Sequence, residues 1–152
     1  MSPTREVFKI HLMAYLIYLT GAFATLLGTL HFFFPLLFDF DQAMPREGTP
    51  LRPFQLWFIR YATLRSDVRG LIWVMNHWSS FWILTCGLLD LFWTQWLHLS
   101  FGPLVSLWLA LAWFVRAASQ LYMGRRRGDW LILLGFATIG ALHVLVAVVP
   151  LP

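Results

Sequence analysis

The sequence predicts an all-α integral membrane protein: a bundle of four transmembrane helices, with a short interfacial helix in the first loop. Of its 152 residues, 59% are hydrophobic and only 12% are charged, and the mean hydropathy is +0.68. Soluble domains carry about 25% charged residues, and a soluble chain this apolar would expose patches that aggregate. The many Trp and Phe residues suit the membrane–water boundary. We therefore predict a single transmembrane domain over residues 1–152, surrounded by lipid.

Four apolar stretches are long enough to cross a bilayer, which takes about 20 residues of helix. They cover residues 12–37, 71–96, 103–123 and 130–149. Backbone polar groups in lipid must be satisfied within their own segment, so each stretch is expected to be a helix. The second and third connections are short, which makes sequential helices antiparallel. The N-terminal run is too long for a cleaved signal peptide and lacks a small-residue cleavage site.

The first connection, residues 39–70, is the one long loop. Three prolines interrupt its first half. Its segment from Phe54 to Leu64 interleaves aromatic residues with Arg60, a composition typical of a helix that lies flat in the interface. We predict a short amphipathic helix there.

The distribution of cations predicts the orientation, because cytoplasmic loops carry an excess of Lys and Arg. Five arginines in the first loop and three in the third connection stand against Arg5 and Lys9 on the opposite side. We expect both arginine-rich loops in the cytoplasm and both termini in the periplasm of a bacterial inner membrane. The net charge of +4 is then loop charge, and the scattered arginines exclude a nucleic-acid-binding face.

Ionisable residues inside a span are costly, and each is a candidate functional residue. His31, His77 and Arg116 lie on three different helices, each about 10 Å inside the cytoplasmic boundary at the usual helical rise. Gln120 lies four residues after Arg116 and shares its helix face. We predict that these four side chains form a polar layer that binds a cofactor, with the two histidines as metal ligands.

Two further patterns support contact between helices. Gly21, Ala24 and Gly28 share the face of His31, and small residues allow close approach of a neighbouring helix in a membrane. On the opposite side of the membrane, Asp90 and His143 are predicted to form a secondary polar pair through a charge-assisted hydrogen bond.

Several roles for these residues remain open. His31 and His77 either fix packing by hydrogen bonds, ligate haem b or a chlorophyll-type pigment beside Gly28, or contact quinone or lipid. Arg116 lacks a carboxylate at its depth, so it either snorkels to the headgroups or binds an anion such as a lipid phosphate. Two histidines alone do not make a structural zinc site, which needs four ligands. The single cysteine, Cys86, excludes an internal disulfide and paired-cysteine redox chemistry.

These residues resemble those of an uncharacterised group of small bacterial four-span membrane proteins. The matching pieces are His31-Phe32 followed by Phe34-Pro35, His77, Trp113-x-x-Arg116-x-x-x-Gln120 and His143. The resemblance implies the same four-helix fold and a use for the polar layer, and it implies no particular activity. The first loop is extended relative to that pattern, which leaves room for a docking role.

Three functions follow from these observations. We expect first a non-catalytic subunit that packs with other subunits into a larger respiratory or photosynthetic complex, because almost none of the chain lies outside the bilayer. The second is a membrane protein that binds haem b or a pigment through His31 and His77. The third is a lipid- or quinone-handling enzyme. The sequence leans away from an enzyme, since Ser80 near His77 has no orienting acid.

Overall fold

A computed structural model describes residues 3–44, 55–56, 59–60, 68–122 and 127–149 of the chain. Helices make up nearly all of these residues, which confirms the predicted all-α class. The helices are α1 (Pro3–Phe32), α2 (Phe34–Leu37), α3 (Phe40–Ala43), α4 (Val68–Leu91), α5 (Trp93–Trp96), α6 (Gly102–Ser119) and α7 (Arg127–Val148), with one 3-10 turn at Gln120–Tyr122.

Three helical segments are long and apolar enough to cross a membrane: His11–Phe32, Gly102–Tyr122 and Gly128–Val148. They are compatible with a multi-pass protein whose apolar surface contacts lipid, and they cover most of the predicted first, third and fourth spans. The predicted second span, 71–96, falls on α4 and α5. At 24 residues α4 is long enough to cross, but its polar residues lower its hydropathy, and it is not one of the three.

The helix predicted over residues 12–37 is interrupted. It ends at Phe32, and α2 begins at Phe34 with Pro35 in its first turn. Proline has no backbone N–H and its ring crowds the preceding turn, so the helix cannot continue through it unbroken. Phe33 N instead donates to Leu30 O at 3.0 Å, a tighter bond across three residues. A second interruption, at Phe92, separates α4 from α5.

The interfacial helix predicted from Phe54 to Leu64 is wrong for the residues that the structure describes there. Gln55–Leu56 (β1) and Ile59–Arg60 (β2) pair as short antiparallel strands, with Leu56 opposite Ile59. Aromatic and β-branched residues favour this extended backbone. The other residues of the predicted helix lie outside the described part of the chain.

The chain divides into two compact units: a central unit, residues 24–85, and a terminal unit, residues 1–23 and 86–152. In the central unit, α1 and α4 approach closely at Gly28. A Cβ atom added to Gly28 would lie 2.5 Å from Leu84 N, against the backbone of the neighbouring helix. Gly28 is buried, whereas Ala22 is exposed, as expected for the predicted small-residue face.

In the terminal unit, α6 and α7 pack along each other. The rings of Trp113 and Phe136 stack between these helices, with centroids 5.4 Å apart and an interplanar angle of 15°. A second buried cluster joins Ile17 of α1, Trp93 of α5 and Val146 of α7. These contacts hold α1, α5, α6 and α7 together within the terminal unit.

Candidate functional site

Asp90 and His143 meet in the interior of the terminal unit. His143 Nε2 lies 3.3 Å from Asp90 Oδ1, and the two side chains are 1% and 0% exposed. Neither atom has a hydrogen bond of good alignment within the described residues, so the contact is mainly electrostatic. The structure thus brings together the two members of the predicted secondary pair. Burying an isolated charge is costly, and the close approach of the two groups reduces that cost.

The sequence reasoning missed two hydroxyl groups that extend this pair. Thr20 Oγ1 of α1 lies 3.3 Å from Asp90 Oδ2, although it donates its hydrogen to Ile17 O at 2.8 Å. Ser106 Oγ of α6 donates to His143 O at 2.9 Å and lies 3.5 Å from His143 Nδ1. A line of polar groups therefore runs from α1 through α4 to α7 and α6.

A sequence signal for Ser106 did exist. Ser106, Trp113 and Gln120 recur at intervals of seven residues, which places them on one face of a helix. All three are buried. Ser106 therefore lies on the same buried face as Trp113 and Gln120. No comparable pattern identified Thr20.

Arg116 and Gln120 are in direct contact, as their spacing predicted. Arg116 Nη1 donates to Gln120 Oε1 at 3.0 Å and to Ser119 Oγ at 3.3 Å. The centre of the guanidinium lies 4.8 Å from the centroid of the Phe136 ring, a distance within the range of cation–π contacts. Because Ser119 and Gln120 follow Arg116 along α6, the side chain runs toward the C-terminal end of the helix, the direction in which an arginine snorkels.

A carboxylate is linked to this cluster through Gln120, and it contacts Gln120 rather than Arg116. Gln120 is 3% exposed, and its Nε2 donates to Asp129 Oδ1 at 3.0 Å. The sequence predicts the fourth span from residue 130, but Asp129 already lies in the first turn of α7. A carboxylate is favourable at the start of a helix, because the unsatisfied N–H groups there carry partial positive charge.

His31 and His77 lie in the central unit, at one level of α1 and α4. Asn76 Nδ2, from the residue before His77, donates to His31 O at 2.8 Å. The ring of Phe32, the residue after His31, lies 5.9 Å from the His77 ring. The His31 ring itself packs 4.1 Å from Phe34. These contacts show that the two histidines lie level with each other on α1 and α4; their depth in a membrane stays a prediction.

The side chain of His77 is exposed, so it does not point into the interior as a member of the predicted polar layer would. Its Nδ1 lies 2.8 Å from Trp73 O, and its ring stacks on Trp73 with centroids 5.5 Å apart. A proton on Nδ1 satisfies this carbonyl and leaves the Nε2 lone pair directed outward. This is the tautomer that a metal-ligating histidine usually adopts.

The four residues of the predicted polar layer belong to two units. Arg116 and Gln120 lie in the terminal unit, and His31 and His77 lie in the central unit. Among the residues that the structure describes, no group of three or more His, Cys, Asp or Glu side chains is arranged to hold a metal ion. Cofactor binding by the combined layer stays a prediction.

Comparison with known proteins found no family model, no curated protein and no solved structure that matches the chain. The resemblance to the four-span bacterial group therefore stays a prediction from the sequence.

Proposed function

We propose that this chain is a small non-catalytic membrane subunit, which packs against a helix of a larger membrane complex through the outward face of α4. The observation that carries the proposal is a pair of groups with hydrogen-bonding capacity, His77 and Trp78, exposed near the middle of that helix. The proposal includes α4 as a fourth span, in a bacterial inner membrane with both termini in the periplasm. A respiratory or photosynthetic complex is the predicted host.

The outward face of α4 is otherwise apolar. Its exposed residues recur every three or four positions, so they form one stripe along the helix. The large apolar members of this docking face, all in the central unit, are Leu71, Val74, Met75, Trp78 and Phe81. A transmembrane helix of a partner subunit has the matching shape and the matching apolar character.

Lipid is a poor environment for the centre of this face. Trp78 is 63% exposed and lies about 15 Å from the start of α4 and about 20 Å from its end. Tryptophan prefers the membrane boundary, where its N–H meets water. Among the described residues, neither the Trp78 N–H nor His77 Nε2 has a hydrogen-bond partner. A partner helix with hydroxyl or carboxamide groups can bond to the Trp78 N–H and to His77 Nε2. Each such contact stabilises the complex by about 0.6 kcal/mol.

Site-specific photocrosslinking in the membranes of the native host tests this proposal. A photoreactive amino acid at position 78 is expected to capture a membrane protein in one defined adduct. The matched control is position 108, where Trp108 is 59% exposed on α6 and lies outside the docking face. The adduct should disappear in His77→Leu. Lipid adducts alone at position 78, or equal protein adducts at both positions, contradict the proposal.

Haem b or a chlorophyll-type pigment is a second candidate ligand, favoured by the outward-directed Nε2 of His77. Protein purified from its native host would then show a Soret band that is lost in both His31→Ala and His77→Ala. His98→Ala is the matched control, because His98 Nδ1 makes the same kind of contact, 3.0 Å from Thr94 O. A colourless protein, or a band that survives both substitutions, contradicts this candidate.

A further inference from the structure

We infer that the Nε–Nη2 edge of Arg116 is a binding site for one phosphate group. The site lies in the terminal unit, and it does not depend on the docking face of α4. Its components are a guanidinium fixed by three side chains, an unoccupied pair of N–H donors, and a position close to the end of a membrane-spanning segment.

Hydrogen bonds hold the guanidinium at Nη1, and an aromatic ring packs against one face of its plane. Its Nη1 atom donates to Gln120 Oε1 and Ser119 Oγ, and Phe136 lies against it at 4.8 Å. Gln120 is held in turn, because its Nε2 donates to Asp129 Oδ1. The side chain therefore loses little conformational freedom when a ligand binds, which favours affinity.

The opposite edge of the guanidinium carries Nε and Nη2, and no described residue accepts a hydrogen bond from it. Within the described part of the chain, neither Nε nor Nη2 donates a hydrogen bond, and no carboxylate forms an ion pair with Arg116. Neither nitrogen is among the fully buried polar atoms that lack partners, so both keep some exposed surface. Two parallel N–H groups match two oxygens of a phosphate or carboxylate, a geometry that lysine cannot provide.

The position of the site, near one end of a membrane-spanning segment, favours phosphate over a carboxylate ligand. Arg116 lies six residues before Tyr122, the last residue of the segment Gly102–Tyr122, and its side chain runs toward that end. The guanidinium is thus within about 9 Å of the end of the segment, near the level of phospholipid headgroups. In the sequence, Arg125, Arg126 and Arg127 come within five residues after Tyr122, and basic residues next to a membrane-spanning segment attract anionic headgroups.

Thermal denaturation of the full-length protein in an uncharged detergent tests the site. The ligands are dihexanoyl phosphatidylglycerol, dihexanoyl phosphatidylcholine, inorganic phosphate, and dihexanoylglycerol as a control without phosphate. A ligand that binds the folded state and not the unfolded state raises Tm, and the rise grows with the logarithm of ligand concentration above the dissociation constant. We expect the phosphate-containing lipids, but not dihexanoylglycerol, to raise Tm. An equal response to inorganic phosphate would assign the site to free phosphate rather than to lipid headgroups.

Variants locate the binding on Arg116. Arg116→Gln should abolish the ligand-dependent rise in Tm. Arg69→Gln removes the same charge and should retain it, because Arg69 Nε and Nη2 are already bonded to Met44 O at 3.3 and 2.9 Å. If Arg116→Gln does not fold, Arg116→Lys is the test variant. Lysine keeps the positive charge, but the loss of a charged bidentate contact should weaken phosphate binding about tenfold or more. An unchanged response in either Arg116 variant, or no response of the wild type to any phosphate ligand, overturns the inference.

Discussion

Gln120 and Asp129 join the end of α6 to the start of α7 through a partly buried side-chain hydrogen bond of 3.0 Å. The amide of Gln120 uses both of its ends, because its oxygen accepts from Arg116. A guanidinium within one span is thereby connected to a carboxylate at the beginning of the next. The connection depends on an uncharged residue that is 3% exposed.

We expect Gln120→Leu to destabilise the protein by about 1–3 kcal/mol, the cost of leaving polar partners unsatisfied at a buried position. The measurement is unfolding by sodium dodecyl sulfate in mixed micelles, followed by circular dichroism. Ser119→Ala is the control, since it removes a weaker contact to the same Arg116 Nη1 atom, 3.3 Å long. Equal stability of Gln120→Leu and the wild type would show that the amide bridge contributes nothing.

Asp90 and His143 should behave as one energetic unit. We expect Asp90→Ala and His143→Leu each to cost about 1–3 kcal/mol, because each leaves a buried partner unpaired. The double variant should cost less than the sum of the two by about 1 kcal/mol. A double-mutant cycle measured by the same unfolding method gives this coupling energy.

The control for that cycle is Asp41→Asn, because Asp41 is 70% exposed and lies 3.7 Å from Arg69. Exposed ion pairs contribute little to stability, so this variant should remain close to the wild type. Strict additivity of Asp90→Ala and His143→Leu would mean that their proximity has no energetic effect.

Gly28→Leu should be far more damaging than Ala22→Leu. A side chain at position 28 meets the backbone of Leu84, where a Cβ atom alone would lie 2.5 Å from the amide nitrogen. Overpacking of this kind costs about 1–3 kcal/mol or more, while Ala22 is exposed and a leucine there faces lipid. The yield of folded protein after detergent extraction and its unfolding midpoint both report the difference. Equal yields and midpoints of the two variants would contradict the close approach of α1 and α4 at Gly28.

Local patterns in the sequence predicted most of the helices. Long apolar runs identified the segments of α1, α6 and α7, because a helix in lipid must be apolar over nearly its whole length. The small-residue face of α1 followed from the spacing of Gly21, Ala24 and Gly28. Pro35 marked a boundary whose effect was underestimated, since an uninterrupted helix was predicted through it.

The contacts between helices were harder to predict than the helices themselves. The spacing of Arg116 and Gln120 within one helix was sufficient to pair them, and it agrees with the structure. The link from Gln120 to Asp129 depends on where α7 begins, and helix ends are poorly determined by composition. The orientation of His77 depends on the Trp73 carbonyl one turn earlier, which competes with any partner across the interior.

The close approach of α1 and α4 has a consequence for biosynthesis. α4 carries Asn76, His77 and Asp90, and such residues make partition from the translocon into lipid less favourable. Its neighbour α1 is synthesised first, and at Gly21 a Cβ atom would already lie 2.9 Å from the Cβ of Asp90. If α4 is a fourth span, as proposed, the earlier helix offers it a surface against which to insert. We expect α4 to stay outside the membrane in a truncated chain that lacks α1. Added protease should then cleave α4, whereas it should not cleave α4 in the full-length chain.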